Sequence, residues 1–220
     1  YVHERFNARS SSNDIALILL QHPASGVEAM KIYSGSPGVG CSALVAGWGT
    51  TSIGSTALPR RLMSASIPVI GFDTCRSAMG AFVTPNSICA GNTFGGSSAC
   101  SGDSGGPLAM YQAGELRQVG ITSWGGPDCG AAYQYSVFTR VANYVGWIEQ
   151  IMGVSAYSVL GSTSGSCLGT SSSEAPQGGV DKGLGIMNGA HLAVLVGIGF
   201  SVRRRSKQNR KAGQCGRSLT

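Results

Sequence analysis

Short apolar runs alternate with clusters of glycine, proline, serine and asparagine through the first two thirds of the chain. Two such runs, ALVAGWGTT at 43–51 and RQVGITSWG at 117–125, contain β-branched residues and carry glycine turn signals. This pattern is typical of strands joined by tight turns. It predicts an all-β domain over residues 1–152.

The hydrophobic period changes at the end of that region. In RVANYVGWIEQIM at 140–152, Val141, Val145, Ile148 and Met152 recur at helical spacing. Such spacing places the four side chains on one face of a helix. We therefore predict a C-terminal helix that packs against the strands.

The next segment, residues 153–182, has a different composition. Sixteen of its 30 residues are Ser, Gly or Thr. A segment with so little apolar surface does not offset the entropy lost on ordering, so we interpret it as a flexible linker.

Residues 183–202, GLGIMNGAHLAVLVGIGFSV, contain no formal charge and are followed at once by RRRSKQNRK at 203–211. Twenty helical residues span roughly 30 Å, the thickness of a bilayer core. The pattern predicts a transmembrane helix with a basic cytosolic tail over 203–220 and an extracellular or luminal N-terminal domain. The alternative is an unstructured tail with an apolar patch, since Asn188, His191 and five glycines weaken the span. A glycolipid anchor is disfavoured because the C-terminus is basic and polar.

The excess positive charge of the chain lies at its C-terminal end. The formal net charge is +6, but seven of the 16 Lys and Arg residues follow residue 202, whereas all ten acids precede it. Residues 1–202 therefore carry a net charge of −1. A basic face for binding a phosphate backbone is absent from the predicted domain, so no nucleic-acid partner is expected.

Seven cysteines are scattered singly among the predicted strands, without the CxxC spacing of metal sites. This arrangement favours disulfides formed in an oxidising compartment. We expect a protein of the secretory pathway, either membrane-anchored or secreted, with no metal and no cofactor.

The stretch GDSGG at 102–106 surrounds one hydroxyl with small residues. A serine hydroxyl becomes a nucleophile only with a base to take its proton and donors to hold the oxyanion. The Ser104 hydroxyl could attack, and the amides of Gly102 and Ser104 could form the oxyanion hole. The alternative is a glycine-rich turn closed by Asp103.

Six stretches together resemble the chymotrypsin/trypsin-like serine endopeptidases, in the order and spacing of that family. They are NDIALI (13–18), AGWGTT (46–51), SICAGN (87–92), GDSGGPL (102–108), GITSWG (120–125) and VFTRVANYVGWI (137–148). The resemblance covers residues 1–152. It implies two antiparallel β-barrels with an active site in the cleft between them, the first barrel being incomplete in this chain.

The resemblance implies a role for each matching residue. Ser104 is similar to the nucleophile and Asp14 to the carboxylate that orients the catalytic histidine. The competing interpretation of Asp14 is an acid at a turn or strand start. Asp103 resembles the acid that pairs with a new α-amino terminus after zymogen cleavage.

No histidine of the chain stands where the family has its general base. Only 13 residues precede Asp14, His3 matches a surface-loop position, His22 follows the Asp14 strand and His191 lies in the predicted span. We expect the catalytic histidine upstream of this sequence, so that the 220 residues alone would have little activity. The alternative is a non-catalytic, protease-like binding protein at a membrane surface.

The substrate pocket follows from the same resemblance. The resemblance places Ser98 at the pocket floor, where trypsin-like members have an aspartate that binds Arg or Lys of the substrate. Ser136 stands where the family usually has a glycine deep in the pocket. Ser123, Trp124 and Gly125 would bind an extended protein or peptide substrate through the main chain. We expect cleavage after apolar or aromatic residues. Asp128 could add a minor preference for substrates with a basic residue at that position.

The resemblance also implies two disulfides, Cys75 with Cys89 and Cys100 with Cys129. The expected partner position of Cys41 holds Met110, so Cys41 is either free or paired outside the family pattern, for example with Cys167. Cys215 would be a reduced cytosolic thiol if the span is real.

Overall fold

The computed structural model describes residues 1–33 and 35–153, together with the backbone of 193–196. These residues form nine β-strands, two α-helices and one 3₁₀ helix. The strands are β1 Ala16–Leu19, β2 Lys31–Ile32, β3 Ser42–Gly47, β4 Met63–Ile70, β5 Ser87–Ala90, β6 Pro107–Gln112, β7 Glu115–Gly125, β8 Ser136–Arg140 and β9 Ala193–Val196. The helices are α1 Phe72–Met79, the 3₁₀ helix Val141–Tyr144 and α2 Val145–Met152.

Strands β3 to β8 close into one barrel. The order around it is β7, β6, β3, β4, β5, β8, and β8 pairs back onto β7. All six pairings are antiparallel, and the short β2 adds to β7 in parallel. Closure leaves no free edge within the ring of β3 to β8, because each of its strands has a neighbour on both sides.

The barrel interior is filled by one face of each strand. In β3, Ala43 and Val45 are buried and Ser42 is exposed, as the two-residue period of a strand requires. Leu108 and Phe138 are fully buried in the same core. A Cβ on Gly120 would lie 2.9 Å from the Phe138 Cβ, so this strand position needs glycine for close packing.

The C-terminal helix covers one side of the barrel, as the 140–152 pattern predicts. Val141 and Ile148 are buried with Ile15, Leu17 and Ile121. The helix ends at Gly153, whose φ of +66° and N–H bond to the Glu149 carbonyl form a left-handed cap. The mostly β-barrel fold with a short C-terminal helix is therefore confirmed.

The second barrel of the prediction is not shown by the described residues, in which β1 and β9 form a separate two-stranded sheet. One edge of β1 bridges Val2, and the other pairs antiparallel with β9, from Ala16 opposite Val196 to Leu19 opposite Ala193. Residues 193–196 lie in the segment for which we predict a transmembrane helix, and here they form a strand. An uncharged run of Ala, Val and Leu satisfies a sheet edge as well as a bilayer, so its hydrophobicity does not distinguish the two.

The rest of the predicted linker, span and basic tail lies outside the described residues. Among residues 1–33, 35–153 and 193–196, the helices are too short to cross a membrane.

Candidate active site

Ser104 lies in the turn that leads into β6. Its side chain is exposed, and the turn around it is fixed by backbone hydrogen bonds. Gly105 N–H donates to the Thr122 carbonyl at 2.8 Å, and Gly106 N–H donates to the Asp103 carbonyl at 2.9 Å. The serine is thus held on the barrel, with its hydroxyl in reach of solvent.

The two amides assigned to the oxyanion hole flank Asp103. Within the described part of the chain, neither the Gly102 N–H nor the Ser104 N–H donates a hydrogen bond. Gly102 has φ +101°, and a Cβ there would come within 3.0 Å of the Gly49 Cα. Glycine is therefore required at this position, and the turn leaves two donors available to an incoming oxygen.

Asp103 is anchored by two backbone amides. Its Oδ1 accepts the Gly49 N–H at 2.7 Å and its Oδ2 accepts the Cys100 N–H at 2.9 Å. A Cβ on Gly47 would lie 2.1 Å from Oδ1, and one on Gly49 would lie 2.5 Å from it. The two glycines of AGWGTT thus make room for this carboxylate, a role that their sequence pattern does not reveal.

Asp14 is fully buried and lies two residues before the start of β1. Its Oδ2 accepts a hydrogen bond from the Ser123 hydroxyl at 2.5 Å. Its main-chain carbonyl accepts one from the Thr139 hydroxyl at 2.7 Å. Buried carboxylates require such partners, so Asp14 is a structurally fixed acid rather than a surface turn residue.

Strand β7 brings the Ser104 turn and Asp14 together. The turn is bonded to Thr122, and the next residue, Ser123, is bonded to Asp14. The pairing of β7 with β8 shifts register between Thr122 and Trp124, so Ser123 lies at a bulge. Bulges redirect side chains at functional sites. The resemblance assigns Ser123 to main-chain substrate binding and misses this contact of its hydroxyl.

Tyr144 contacts Asn13, the residue before Asp14. Its hydroxyl donates to the Asn13 Oδ1 at 2.9 Å. Burial raises the pKa of Tyr144 to about 12; a side-chain hydrogen bond with Asn86 acts in the opposite direction, and the negative charge of Asp14 raises it further. The phenol is therefore neutral at physiological pH and remains a hydrogen-bond donor.

Of the two described histidines, His3 is packed against aromatic rings and His22 lies on an exposed loop. The buried His3 packs against Tyr144 and Trp147, with ring centroids 5.3 and 5.0 Å away, and its Nδ1 accepts the Arg5 N–H. His22 is exposed in the loop after β1. His191 lies outside the described residues.

The predicted pocket residues Ser98 and Ser136 both contact the main chain of Ala99. The Ser98 hydroxyl donates to the Ala99 carbonyl at 3.0 Å, and the Ala99 N–H donates to the Ser136 Oγ at 3.1 Å. Ser136 also lies opposite Gly125 in the β7–β8 ladder. A Cβ on Gly125 would approach atoms no closer than 3.7 Å, so the space beside it is open.

Both predicted disulfides are confirmed. Cys75 is bonded to Cys89, with Cα atoms 6.2 Å apart, and Cys100 is bonded to Cys129, with Cα atoms 5.4 Å apart. The second links the segment before Ser104 to the loop after β7. Cys41 is also disulfide-bonded, so the alternative of a free thiol is wrong. Cys167 and Cys215 lie outside the described residues.

Candidate metal ligands are scattered over the described part of the chain. There, no group of three or more His, Cys, Asp and Glu side chains is arranged to hold an ion.

Comparison with known proteins places these features in a family. The Trypsin family model matches residues 1–148. Trypsin Blo t 3 of Blomia tropicalis is 39% identical over 157 residues, and trypsin of Sus scrofa is 37% identical over 151 residues. Each match covers 67% of this chain, but the chain spans only 57% of the first relative and 63% of the second.

A solved structure gives the same result. Neuropsin, a serine protease expressed in the limbic system of mouse brain, superposes with a TM-score of 0.63 at 31% identity. The alignment covers 69% of this chain and 68% of neuropsin. Together with the six motifs and the closed barrel, these matches show that the chain belongs to the trypsin family of serine proteases.

Proposed function

We propose that the protein is a serine endopeptidase that cleaves peptide bonds through an acyl-enzyme, with Ser104 as nucleophile and Asp14 as orienting acid. One observation carries this proposal. Consecutive residues of β7, Thr122 and Ser123, hold the Ser104 turn and the Asp14 carboxylate. A rigid strand between nucleophile and acid is what an imidazole needs in order to bridge them.

The reaction would proceed in two halves. An imidazole takes the proton of Ser104 while Oγ forms a bond to the substrate carbonyl carbon, and the carbonyl oxygen becomes an oxyanion at the amides of Gly102 and Ser104. The imidazolium, stabilised by Asp14, returns the proton to the leaving amine as the peptide bond breaks. Water then attacks the Ser104 ester by the same steps, which releases the acid and restores the hydroxyl.

The imidazole itself is proposed to come from sequence that precedes Tyr1. His3 has its ring enclosed by Tyr144 and Trp147, and its Nδ1 is occupied by the Arg5 amide. His22 is exposed on a loop. Neither environment favours a base beside Ser104, so we expect the 220 residues alone to be a poor catalyst.

Substrates are proposed to carry an apolar or aromatic side chain before the cleaved bond. Ser98 provides no fixed charge, and its hydroxyl is engaged by the Ala99 carbonyl. Ser136 accepts the Ala99 N–H through its hydroxyl. Its side chain would reduce the depth of the pocket, so that medium-sized substrate side chains fit best. The exposed carboxylate of Asp128 could add a minor preference for substrates with a basic side chain.

The test uses activated esters, whose good leaving group reduces the need for a base. The 220-residue chain is incubated with N-acetyl 4-nitrophenyl esters of phenylalanine, leucine and arginine, with and without added imidazole. Peptide mass mapping locates the acyl group. We expect acylation of Ser104, faster with imidazole, and at least about tenfold faster for phenylalanine or leucine than for arginine.

Two variants control the ester experiment. Ser104→Ala should abolish the imidazole-dependent acylation, and Ser101→Ala, at a neighbouring exposed serine, should leave it unchanged. Equal labelling of the Ser104→Ala chain would rule out Ser104 as nucleophile. Preference for the arginine ester would instead reject the apolar pocket and leave the nucleophile assignment standing.

A second candidate is a protease-like binding protein without catalysis. The placement of His3 and His22 favours it, because neither provides a base. Under this hypothesis Ser104 stays unacylated even with imidazole, while substrate-like peptides still bind the folded chain. The upstream sequence separates the two candidates directly, since only an enzyme needs a histidine there.

We propose that the barrel works in an oxidising compartment, as a secreted or lumen-facing domain, because the disulfides at Cys75 and Cys100 would not persist in the cytosol. Membrane tethering through 183–202, after a linker over 153–182, remains a prediction, and the strand at 193–196 argues against a continuous helix.

A further inference from the structure

A cavity lies on the barrel away from the proposed catalytic residues. It has a volume of about 260 Å³ and lies between the end of β4, the start of α1 and the β5–β8 edge. Its walls include Val39, Val69, Ile70, Phe72, Ile88 and Arg140. Neither Ser104 nor Asp14 nor a predicted substrate-pocket residue lines it, so the proposed protease function does not explain it.

Arg140 is the one charged side chain in this lining. Its Nη2 donates to the Ser36 hydroxyl, but its Nε is buried and has no hydrogen-bond partner within residues 1–33 and 35–153. Among the described residues, no carboxylate lies within 4 Å of its guanidinium. Because arginine stays protonated in proteins, the cavity is lined by a cation without a paired carboxylate, beside an apolar wall.

We propose that this cavity is a binding site for a small monocarboxylate with an alkyl body. The carboxylate would accept from the Arg140 guanidinium, and the alkyl chain would lie against Val69, Ile70 and Phe72. Charge complementarity and apolar shape therefore select the same ligand class.

The probe is octanoate, titrated into the full chain and followed by calorimetry and by the methyl NMR signals of the lining valines and isoleucines. We expect saturable binding of one octanoate per chain. Octanamide, which has the same chain without the charge, should bind at least about tenfold more weakly. The methyl signals of Val69 and Ile70 should shift in proportion to occupancy.

Matched variants test the assignment. Arg140→Gln should weaken octanoate binding at least about tenfold, whereas Arg61→Gln makes the same charge change at an exposed residue outside the cavity and should leave it unchanged. If Arg140→Gln fails to fold, Phe72→Ala tests the apolar wall, because Phe72 is 41% exposed and its loss should weaken binding without unfolding. Absence of saturation at millimolar octanoate, or equal affinity for octanamide, would overturn the proposal.

Discussion

The hydroxyl of Ser123 is a single group on which the proposed site depends. It donates at 2.5 Å to Asp14, a carboxylate with no exposed surface. The motif GITSWG identifies this serine by resemblance, but the β-bulge that directs its side chain appears only when β7 and β8 pair. A serine within a strand reveals no partner that is 109 residues away in sequence.

Replacing Ser123 by alanine should therefore destabilise the fold. Ser123→Ala leaves the buried Asp14 carboxylate short of one donor, and hydrogen bonds to charged groups are worth about 1.5–3 kcal/mol. Urea unfolding measures the loss. The control Ser66→Ala removes an exposed hydroxyl that bonds Ser42, and should change the free energy of unfolding by less than about 0.5 kcal/mol. Equal effects of the two variants would mean that the Asp14 contact is not stabilising.

Alanine substitutions at two glycines, Gly49 and Gly146, should change the free energy of unfolding in opposite directions. In Gly49→Ala the new Cβ would lie 2.5 Å from the Asp103 Oδ1 and displace a carboxylate held by two amides, so we expect destabilisation by about 1–3 kcal/mol. Gly146 lies in α2, and an added Cβ there would meet nothing within 4 Å, so Gly146→Ala should stabilise by about 0.5–1 kcal/mol. Thermal unfolding of both variants checks the signs. A neutral Gly49→Ala would show that the Asp103 loop adjusts freely.

Among the secondary-structure elements, the β1 edge separates the two interpretations of the apolar segment at 183–202. As a strand, residues 193–196 lie antiparallel to β1 with Ile18 opposite Val194. As a membrane helix, the same residues would be within the bilayer and away from β1. The sequence supports both because Ala, Val and Leu suit either environment.

A cysteine pair decides between them. In the Ile18→Cys, Val194→Cys variant of the full chain, the two thiols occupy directly opposite positions, where cross-strand Cβ atoms lie about 4.5–5.5 Å apart, and a disulfide should form on mild oxidation. Non-reducing peptide mapping detects it. The control Ile18→Cys, Leu195→Cys shifts the register by one residue, which turns the second thiol to the other face and should prevent the link. Equal linking in both, or in neither, would contradict the β1–β9 pairing.

For the molecule as a whole, Tyr144 couples stability to high pH. Burial raises the pKa of Tyr144 to about 12 from the ordinary value of 10.0. Between these values the unfolded chain has lost the phenolic proton and the folded chain keeps it, so the unfolded state is favoured as pH rises. The stabilisation is complete below pH 10 and is lost as the pH rises through about 12.

The expected size of this effect is on the order of 2 kcal/mol, because the pKa is raised by about two units and solvent screening reduces the full conversion. The free energy of unfolding in urea, measured from about pH 9 to about pH 12, should fall more steeply for the native chain than for Tyr144→Phe. The phenylalanine variant also loses the bond to Asn13, which lowers its stability at every pH but adds no slope. Parallel pH profiles of the two proteins would show that Tyr144 titrates normally.

The mostly β-barrel fold, the C-terminal helix, both disulfides and the family could all be predicted from the amino-acid sequence. These features are local or carried by motifs: alternation marks Ala43 and Val45 as inward-facing, helical spacing marks Val141 and Ile148, and ordered glycine motifs identify the relatives. Patterns of this kind are set by strand and helix periods, which neighbouring residues already express.

Contacts between residues that are far apart in the sequence could not be predicted in this way, because they follow from the three-dimensional fold. The closure of β7 on β8, the position of Asp103 between Gly47 and Gly49, and the donation from Ser123 to Asp14 join residues that are far apart in sequence. The pairing of 193–196 with β1 belongs here as well. Such contacts depend on register, bulges and packing, and no period along the chain encodes the partner of a long-range hydrogen bond.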